Sequence, residues 1–452
     1  MNLPLFKGQN DFYKSLFAIS IPIMVQNLVS SLVSILSTMM IGRLGTAEIA
    51  GVGLGNQIFQ LFNLTVFGIS SGGTIFTAQF WGKRDIPGIR KNLGLCLILN
   101  LGISIVFTLG ALIIPDKLIS IYTNDPLAIK AGADFLYCLS SGFIPFAVSM
   151  VFMLTLRSVE KIRLTIYAAV ISLAVNTLLN FPLILGMGSF TGLGVSGAGI
   201  AVSVSRYVEM LILVIGVYVF RYPPAAKLKE LFAFNAAYAG HYLRISVPVI
   251  INESIWSLGI TIQNLILARS STDAIAAYNI TGTISNLTWV VFIGLGHGVA
   301  VLIGKKIGEG REQEAREYAS RITRFGVLMS LGVICILIPL SKILLLYFNI
   351  SEAALYSASL MIIILSFSYP LKAFSMCMII GVCRAGGDTV FSAFYDLAPL
   401  WLISLPLGVA AAFAFHAPPH IIYLFLLMEE PFKMAIGVWR LKTGKWLRNV
   451  VD

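Results

Sequence analysis

Long apolar runs alternate with short polar segments along the whole chain. A helix that crosses a hydrocarbon core of about 30 Å needs roughly 20 mostly apolar residues. Because lipid cannot satisfy an exposed backbone, and no ten-residue alternating strands of a barrel occur, we expect each run to be a transmembrane helix. The twelve predicted spans are residues 15–41, 49–80, 93–114, 131–156, 163–186, 195–220, 243–268, 274–304, 321–346, 353–380, 389–415 and 420–440.

The composition agrees with this pattern. Of the 452 residues, 57% are hydrophobic and only 12% are charged, and the mean hydropathy is +0.87. A soluble chain has about 45–50% apolar and about 25% charged residues, so this chain is predicted to be an all-α polytopic membrane protein. The five cysteines lack metal-ligand spacing, so we expect neither a metal site nor disulfides. The first apolar run is too long for a signal peptide.

The net charge of +11 is distributed unevenly between the two sides of the membrane. Most basic residues follow spans 2, 4, 6 and 8 or lie in the C-terminal tail, among them Arg157 after span 4 and Arg440 in the tail. This asymmetry follows the positive-inside rule and predicts that both termini lie in the cytoplasm. We expect a multi-pass protein of the plasma (inner) membrane. Topology accounts for the charge, so we expect no nucleic-acid binding. The few basic residues on the outer side are Arg43, Lys117, Lys130, Arg269 and Lys342.

The chain repeats itself at half its length. Adding 226 to a residue number in the first half often returns the same residue in the second half. Two parallel halves of six spans each are typical of transporters, with the substrate path between them. We therefore predict two pseudo-symmetric six-helix lobes, 1–220 and 243–452, and a cytoplasmic linker at 221–242 that lets them rock. Matching pairs are Ser20 and Ser246, Pro22 and Pro248, Arg43 and Arg269, Gly68 and Gly294, and Gly72 and Gly298.

Several segments together resemble the MATE (multidrug and toxic compound extrusion) family of the MOP exporter superfamily, over nearly the whole chain. The resemblance implies a V-shaped, NorM-like or DinF-like antiporter that exports organic, often cationic, compounds by alternating access, driven by Na⁺ or H⁺. A flippase for lipid- or oligosaccharide-linked substrates is the alternative within the superfamily; twelve spans favour drug export. The segments are 39–51 (MMIGRLGTAEIAG), 68–85 (GISSGGTIFTAQFWGKRD), 156–186, 294–310 (GLGHGVAVLIGKKIGEG) and 383–389 (CRAGGDT).

Ionisable side chains inside the second-half spans are the candidate chemistry. A charge in hydrocarbon is costly and usually serves a function or an ion pair. At about 1.5 Å per residue, five such groups fall about 12–16 Å from the cytoplasmic helix ends, in one layer. We expect Glu253 and Asp396 to bind the coupling cation. The five groups are Glu253, Lys372, Asp396, Glu429 and Glu430, and further oxygens are expected from Asn252, Tyr278, Asn279 and Tyr395.

A structural interpretation of the same layer stays open. Glu429 or Glu430 can pair with Lys433, and Lys372 can neutralise one more acid, which would give static salt bridges between helices. A lysine beside an acid favours a standing charge over proton uptake. The position of Lys372 therefore decides between a proton site and a spectator pair.

The resemblance adds two assignments and one departure. Glu253 matches the seventh-helix glutamate of the NorM-like branch, and Asp388 matches an acid four residues after an arginine. Asp388 is equally well interpreted as the N-cap of span 11. The first-helix aspartate of many relatives is Ser37 here. Coupling is therefore expected in the second half, whereas Arg206 and Glu209, three residues apart on span 6, are predicted to form a structural ion pair.

Substrate contacts are predicted only from polar and aromatic side chains inside spans, since flat cations stack on aromatic rings. Asn176 and Asn180 are alternatively expected to hydrogen-bond between helices. An embedded prenyl transferase would need a D-D-x-x-D run and a primary pump a G-x-x-x-x-G-K-[ST] loop, and the sequence has neither. We expect a monomeric, non-enzymatic transporter without a cofactor other than its ion. The substrate candidates are Gln26, Asn27, Gln57, Asn176, Asn180, Gln263, Tyr369 and Tyr395.

Overall fold

The computed structural model describes residues 10–41, 44–187, 190–345 and 351–451. Arg43 and the side chains of Ser37 and Lys342 lie outside the described residues. One short antiparallel pair, β1 (Gly186–Met187) and β2 (Phe190–Thr191), interrupts a helical chain. The helices are α1 (Asn10–Ile41), α2 (Thr46–Lys83), α3 (Ile86–Ile113), α4 (Pro115–Ser120), α5 (Pro126–Ser140), α6 (Phe143–Ser158), α7 (Ile162–Leu185), α8 (Val195–Val219), α9 (Leu228–Leu231), α10 (Ala236–Ser270), α11 (Thr272–Gly308), α12 (Glu312–Leu345), α13 (Glu352–Arg384), α14 (Thr389–Ala414), α15 (Pro419–Leu426) and α16 (Glu429–Thr443).

The predicted all-α membrane fold is confirmed, because every predicted span coincides with a helix or with two consecutive helices. By length and hydropathy, nine of the described helices could cross a membrane, or ten if the bent pair α5 and α6 is one span. Two spans predicted as single helices are broken. Span 131–156 bends by 54° between α5 and α6, and span 420–440 divides into α15 and α16. Pro145 and Pro431 lie in the first turn of the second helix of each pair, where a missing N–H removes no helical hydrogen bond.

The chain forms two compact units whose boundaries differ from the predicted lobes. The N unit is Val25–Ile250, and the C unit combines residues 10–24 with residues 251–451 among those described. The first part of α1 thus belongs with the second half of the sequence, and the first part of α10 with the first half. Phe62 stacks on Phe143 in the core of the N unit, with ring centroids 4.6 Å apart.

Glycines on α2 and α11 repeat the same close helix contact in each unit. A Cβ at Gly72 would meet the side chain of Ser246, and a Cβ at Gly298 would meet Ser20. Gly298 lies 226 residues after Gly72, and Ser246 lies 226 residues after Ser20. The repeat in the sequence is therefore also a repeat in the helix packing. Small residues at such positions let helix backbones approach closely. Gly68 with Ile250 and Gly294 with Met24 follow the same rule.

The segment predicted as a free linker is bound to α3 within the N unit. Arg90 donates from Nη1 to Glu230 Oε1 at 2.7 Å and from Nε to the carbonyl of Pro223 at 3.2 Å. The backbone N–H of Lys227 also donates to Glu230, at 2.6 Å, and this bond is the main reason why the pKa of Glu230 lies below its usual value. The beginning of the linker, up to α9, is therefore held by hydrogen bonds to its neighbours.

Candidate ion and substrate sites

A buried charge cluster lies in the C unit where α10, α14 and α16 meet. Lys433 Nζ is 2.9 Å from Asp396 Oδ1 and 3.3 Å from Glu429 Oε2. Asn252 Nδ2 donates to Asp396 Oδ2 at 3.1 Å, and Asn252 Oδ1 has no hydrogen-bond partner among the described residues. All four side chains are buried. Two carboxylates therefore share one ammonium group, and the adjacent amide oxygen of Asn252 accepts no hydrogen bond from the described residues.

A third carboxylate and a second lysine adjoin the cluster. Glu430 Oε2 accepts a hydrogen bond of 3.0 Å from Ser375 on α13. Lys372 Nζ lies 6.0 Å from the ring centroid of Trp289 and makes no ion pair within the described part of the chain. The lysine that contacts the acids is thus Lys433 and not Lys372, because the i, i+4 spacing on α16 brings Lys433 to Glu429. With all groups ionised, the three acids exceed the two lysines by one charge.

Glu253, which we expected to bind a cation together with Asp396, is instead paired with Arg384. Its Oε1 is 2.7 Å from Arg384 Nη1, and the two side chains are 14% and 5% exposed. Consecutive helical residues point about 100° apart, so Asn252 reaches Asp396 while Glu253 turns to the end of α13. A guanidinium keeps its proton at any physiological pH, so Glu253 has a permanent counter-ion. The structure therefore separates Glu253 from the Asp396 cluster.

Asp388 binds the C-terminal residues. It occupies the N-cap position of α14 but makes no side-chain capping bond. Instead it accepts a hydrogen bond from Arg440 Nε at 2.9 Å and pairs with Arg448 Nη2 at 2.9 Å. The backbone N–H of Arg448 donates to the carbonyl of Gly386 at 2.8 Å. Arg440, expected in a solvated tail, lies in α16 and is buried, because Asp388 neutralises it.

The N unit contains the predicted i, i+3 ion pair of α8. Arg206 Nη1 is 2.9 Å from Glu209 Oε2, and the guanidinium lies 4.9 Å from the ring centroid of Phe146. On α7, Asn180 Nδ2 donates to Asn176 Oδ1 at 3.1 Å, and both amides are buried. This hydrogen bond joins two side chains one turn apart on the same helix, whereas the sequence led us to expect a hydrogen bond between helices.

Arg157 is buried, although it was predicted in a solvated cytoplasmic segment. It lies in the last turn of α6 with 6% of its surface exposed. Its Nη2 donates to Gln26 Oε1 at 2.7 Å, and Gln26 Nε2 donates to Met153 Sδ at 3.3 Å. Its Nε has no hydrogen-bond partner among the described residues. The prediction was wrong because the predicted span ended at residue 156, whereas α6 continues to Ser158 and so includes Arg157.

The remaining candidates make separate contacts, each within its own unit. Neither Tyr278 nor Asn279 hydrogen-bonds to an acid within the described part of the chain, and the buried candidates pack between helices. Gln263 Nε2 donates to Ser404 Oγ at 2.8 Å, and the hydroxyls of Tyr369 and Thr288 are hydrogen-bonded to each other. The ring centroids of Tyr395 and Phe391 are 6.1 Å apart, and those of Tyr278 and Tyr423 are 5.9 Å apart. Asn27 is half-buried, and Gln57 and Asn279 are exposed.

Sequence reasoning missed the arginines that partner the polar residues of α1 and α10. One signal could have found them. Leu156-Arg157-Ser158 ends the fourth span, and Cys383-Arg384-Ala385 follows the tenth, so each half carries an arginine at the same place. Such a recurrence inside a duplicated bundle predicts a buried partner for each arginine, because an unpaired buried charge is unfavourable.

Comparison with known proteins agrees with the fold and with the duplication. The family model described as MatE matches residues 22–182 and 248–410, one match in each half. A Thermotoga maritima protein named probable multidrug resistance protein NorM is 23% identical over 445 residues, which cover 97% of this chain and 94% of that protein.

Two solved structures share the fold. The crystal structure of MATE in complex with MaL6 aligns with a TM-score of 0.88 at 18% identity, covering 98% of this chain and all of that one. The outward-facing conformation of a multidrug resistance MATE family transporter of the MOP superfamily also aligns with a TM-score of 0.88 at 18% identity, over 97% of each chain. Since the family model covers well over half of the residues, in two copies, the resemblance found in the sequence is confirmed, and the chain belongs to the MatE family.

Proposed function

We propose that the protein is a secondary transporter that exports organic, often cationic, compounds in exchange for H⁺ or Na⁺. The observation that carries the proposal is the Asp396–Lys433–Glu429 cluster in the C unit, with Glu430 beside it. A buried group of carboxylates with more negative than positive charges favours the binding of one further cation. The coupling ion would occupy this cluster, not Glu253.

Exchange would work through competition between the ion and Lys433. A proton or Na⁺ on Asp396 would weaken its bond to Lys433, which still has Glu429 within reach. The free amide oxygen of Asn252 is a neutral ligand adjacent to Asp396. For transport, the ion must bind the two states of the protein with different affinities, because only differential binding shifts an equilibrium. The alternating exposure of one site to the two sides would then couple ion entry to export.

The substrate class is supported by the relatives, since the Thermotoga maritima protein is named as a probable multidrug resistance protein. The assignment as a secondary transporter is further supported by twelve predicted helical spans in a sequence that has neither the D-D-x-x-D run of a prenyl transferase nor the G-x-x-x-x-G-K-[ST] loop of a primary pump.

The proposal is tested by ethidium export from vesicles that contain the purified full-length protein. A pH gradient and a Na⁺ gradient are imposed separately. We expect one of them to drive export and Asp396→Asn to abolish the gradient-driven part. Asp125→Asn is the matched control, because Asp125 is an exposed N-cap that accepts from Leu127 N–H at 3.0 Å and asparagine caps equally well. If neither gradient moves ethidium in the wild type, the protein is not a cation-coupled exporter of this class.

A further inference from the structure

The same arginine recurs in both halves of the molecule with a different partner. Arg384 binds the carboxylate of Glu253 in the C unit, and Arg157 binds the amide of Gln26 in the N unit. Glu253 and Arg384 each lie half a chain length after Gln26 and Arg157, one position further on than the offset that relates the helix prolines. In the N unit the equivalent guanidinium therefore has a neutral amide where its C-unit counterpart has a carboxylate.

Burial leaves the charge of Arg157 without an adequate counter-ion. No carboxylate lies within ion-pair distance of Arg157 among the described residues; Glu209 acts on it only over a longer distance and is itself bound to Arg206 at 2.9 Å. The C-terminal end of α6 offers a partial negative charge to Arg157, but the end of α13 offers the same to Arg384, which nevertheless has a glutamate. Helix-end electrostatics therefore do not explain the difference.

The donors that remain are suited to an oxyanion. Arg157 Nη2 is bound to Gln26, whereas its buried Nε makes no hydrogen bond; the Nε of Arg206 is likewise without a partner among the described residues. A guanidinium presents its N–H groups in a planar fork that matches a carboxylate or phosphate. Two guanidinium groups and one glutamate give this part of the N unit a net positive charge.

We propose that Arg157, beside Gln26, is a binding site for the carboxylate of a small organic compound. The assignment rests on the proposed export function in one respect only, that the carboxylate belongs to an exported compound. The compounds would then include zwitterions and organic acids, with the anionic group in the N unit and the coupling cation in the C unit.

Binding at equilibrium tests the site without any ion gradient. The full-length protein in phosphatidylcholine nanodiscs, in a buffer free of other small carboxylates, is titrated with benzoate, with neutral benzamide and with cationic benzamidine, which have the same shape. We expect benzoate to bind at least about tenfold more tightly than benzamide or benzamidine, which corresponds to one charge-assisted contact. Equal affinities for the three probes would overturn the proposal.

Gln26→Glu and Gln26→Leu form the decisive pair of variants. Gln26→Glu rebuilds in the N unit the pair that Glu253 and Arg384 form in the C unit, so it should fold, retain its melting temperature and lose the preference for benzoate. Gln26→Leu removes the amide without adding charge and should keep that preference. Loss of the preference in both variants, or in neither, would overturn the role of the uncompensated charge.

A lipid phosphate is the other source of an oxyanion at this site. If nanodiscs of phosphatidylglycerol suppress benzoate binding to the wild type, the site belongs to a lipid headgroup and the carboxylate assignment is rejected. Unchanged benzoate binding in both lipids supports it. Failure of ethidium export with intact benzoate binding would reject the proposed function alone, so the two outcomes are distinguishable.

Discussion

Glu253 and Arg384 neutralise each other in the C unit, where Arg384 is buried and Glu253 is largely shielded from solvent. Removing one charge leaves the other buried and unpaired, which typically destabilises a protein by about 3–5 kcal/mol. Glutamine can still accept one hydrogen bond, so we expect Glu253→Gln to lower the free energy of unfolding by about 2–3 kcal/mol. Denaturant or thermal unfolding in detergent measures the change.

The double variant Glu253→Gln with Arg384→Gln separates this explanation from a role in coupling. It removes both charges and should recover most of the lost stability. An unaltered melting temperature of Glu253→Gln, together with loss of ion-driven export, would instead make Glu253 the coupling acid and Arg384 incidental.

For individual residues, helical spacing predicts which side chains are neighbours on one helix better than it predicts partners on different helices. The i, i+3 and i, i+4 pairs of Arg206 with Glu209 and of Glu429 with Lys433 follow from position on one helix. The partners of Glu253 and Asp388 come from elements that are distant in the sequence, or from a tail expected in water. Depth in the membrane limits such partners, but rotation about each helix axis selects among them.

At the scale of the helices, Gly72 on α2 and Gly298 on α11 occupy matching positions but should differ in how well they tolerate an added side chain. A Cβ at Gly72 would lie 2.6 Å from Ser246 Cβ and 3.0 Å from its Cα, so the backbone must move. A Cβ at Gly298 would meet Ser20 Oγ, which can rotate, while Ser20 Cβ is 3.3 Å away. We expect Gly72→Ala to destabilise the protein by about 1–3 kcal/mol and Gly298→Ala by clearly less.

Melting temperatures of three alanine variants and two double variants measure the difference. Gly282→Ala is the control on α11, because a Cβ there meets nothing within 4 Å and alanine favours a helix by about 1 kcal/mol. Ser20→Ala should rescue Gly298→Ala, whereas Ser246→Ala should not rescue Gly72→Ala. Equal destabilisation at the two glycines would show that the contacts are not as close as the structure has them.

The positions of the elements follow from hydropathy, but their breaks do not. Apolar runs predict where helices lie because the hydrocarbon core requires length and apolarity. The 54° bend between α5 and α6 leaves the composition of the run unchanged, so hydropathy alone gives no sign of it. Pro145 marks the break only once it is known to start a helix, since proline also occurs inside α1, α10, α12 and α13.

For the whole molecule, the duplication could be predicted but the grouping of its parts could not. The offset of half the chain length is visible in the sequence, and the family matches fall one in each half. The first part of α1 nevertheless belongs to the unit formed by the second half of the sequence, and the first part of α10 belongs to the unit formed by the first half. Symmetry explains why this exchange cannot be inferred: both halves carry the same Ser, Pro and Gly positions, so the sequence is equally compatible with contacts inside a half and contacts across halves.

Orientation in the membrane is the remaining property of the whole molecule, and it follows from the basic residues. Moving the many lysines and arginines of one side across the bilayer is unfavourable, so we expect the side that carries them, with both termini, to face the cytoplasm. In a variant whose five cysteines are alanine, the exposed positions Lys117 and Lys130 should react, after substitution by cysteine, with a membrane-impermeant maleimide in intact cells. Cysteines at the exposed Lys229 and Arg311 should react only after permeabilisation. The reverse labelling pattern would show that the protein has the opposite orientation in the membrane. Labelling of all four positions in intact cells would show that both orientations are inserted.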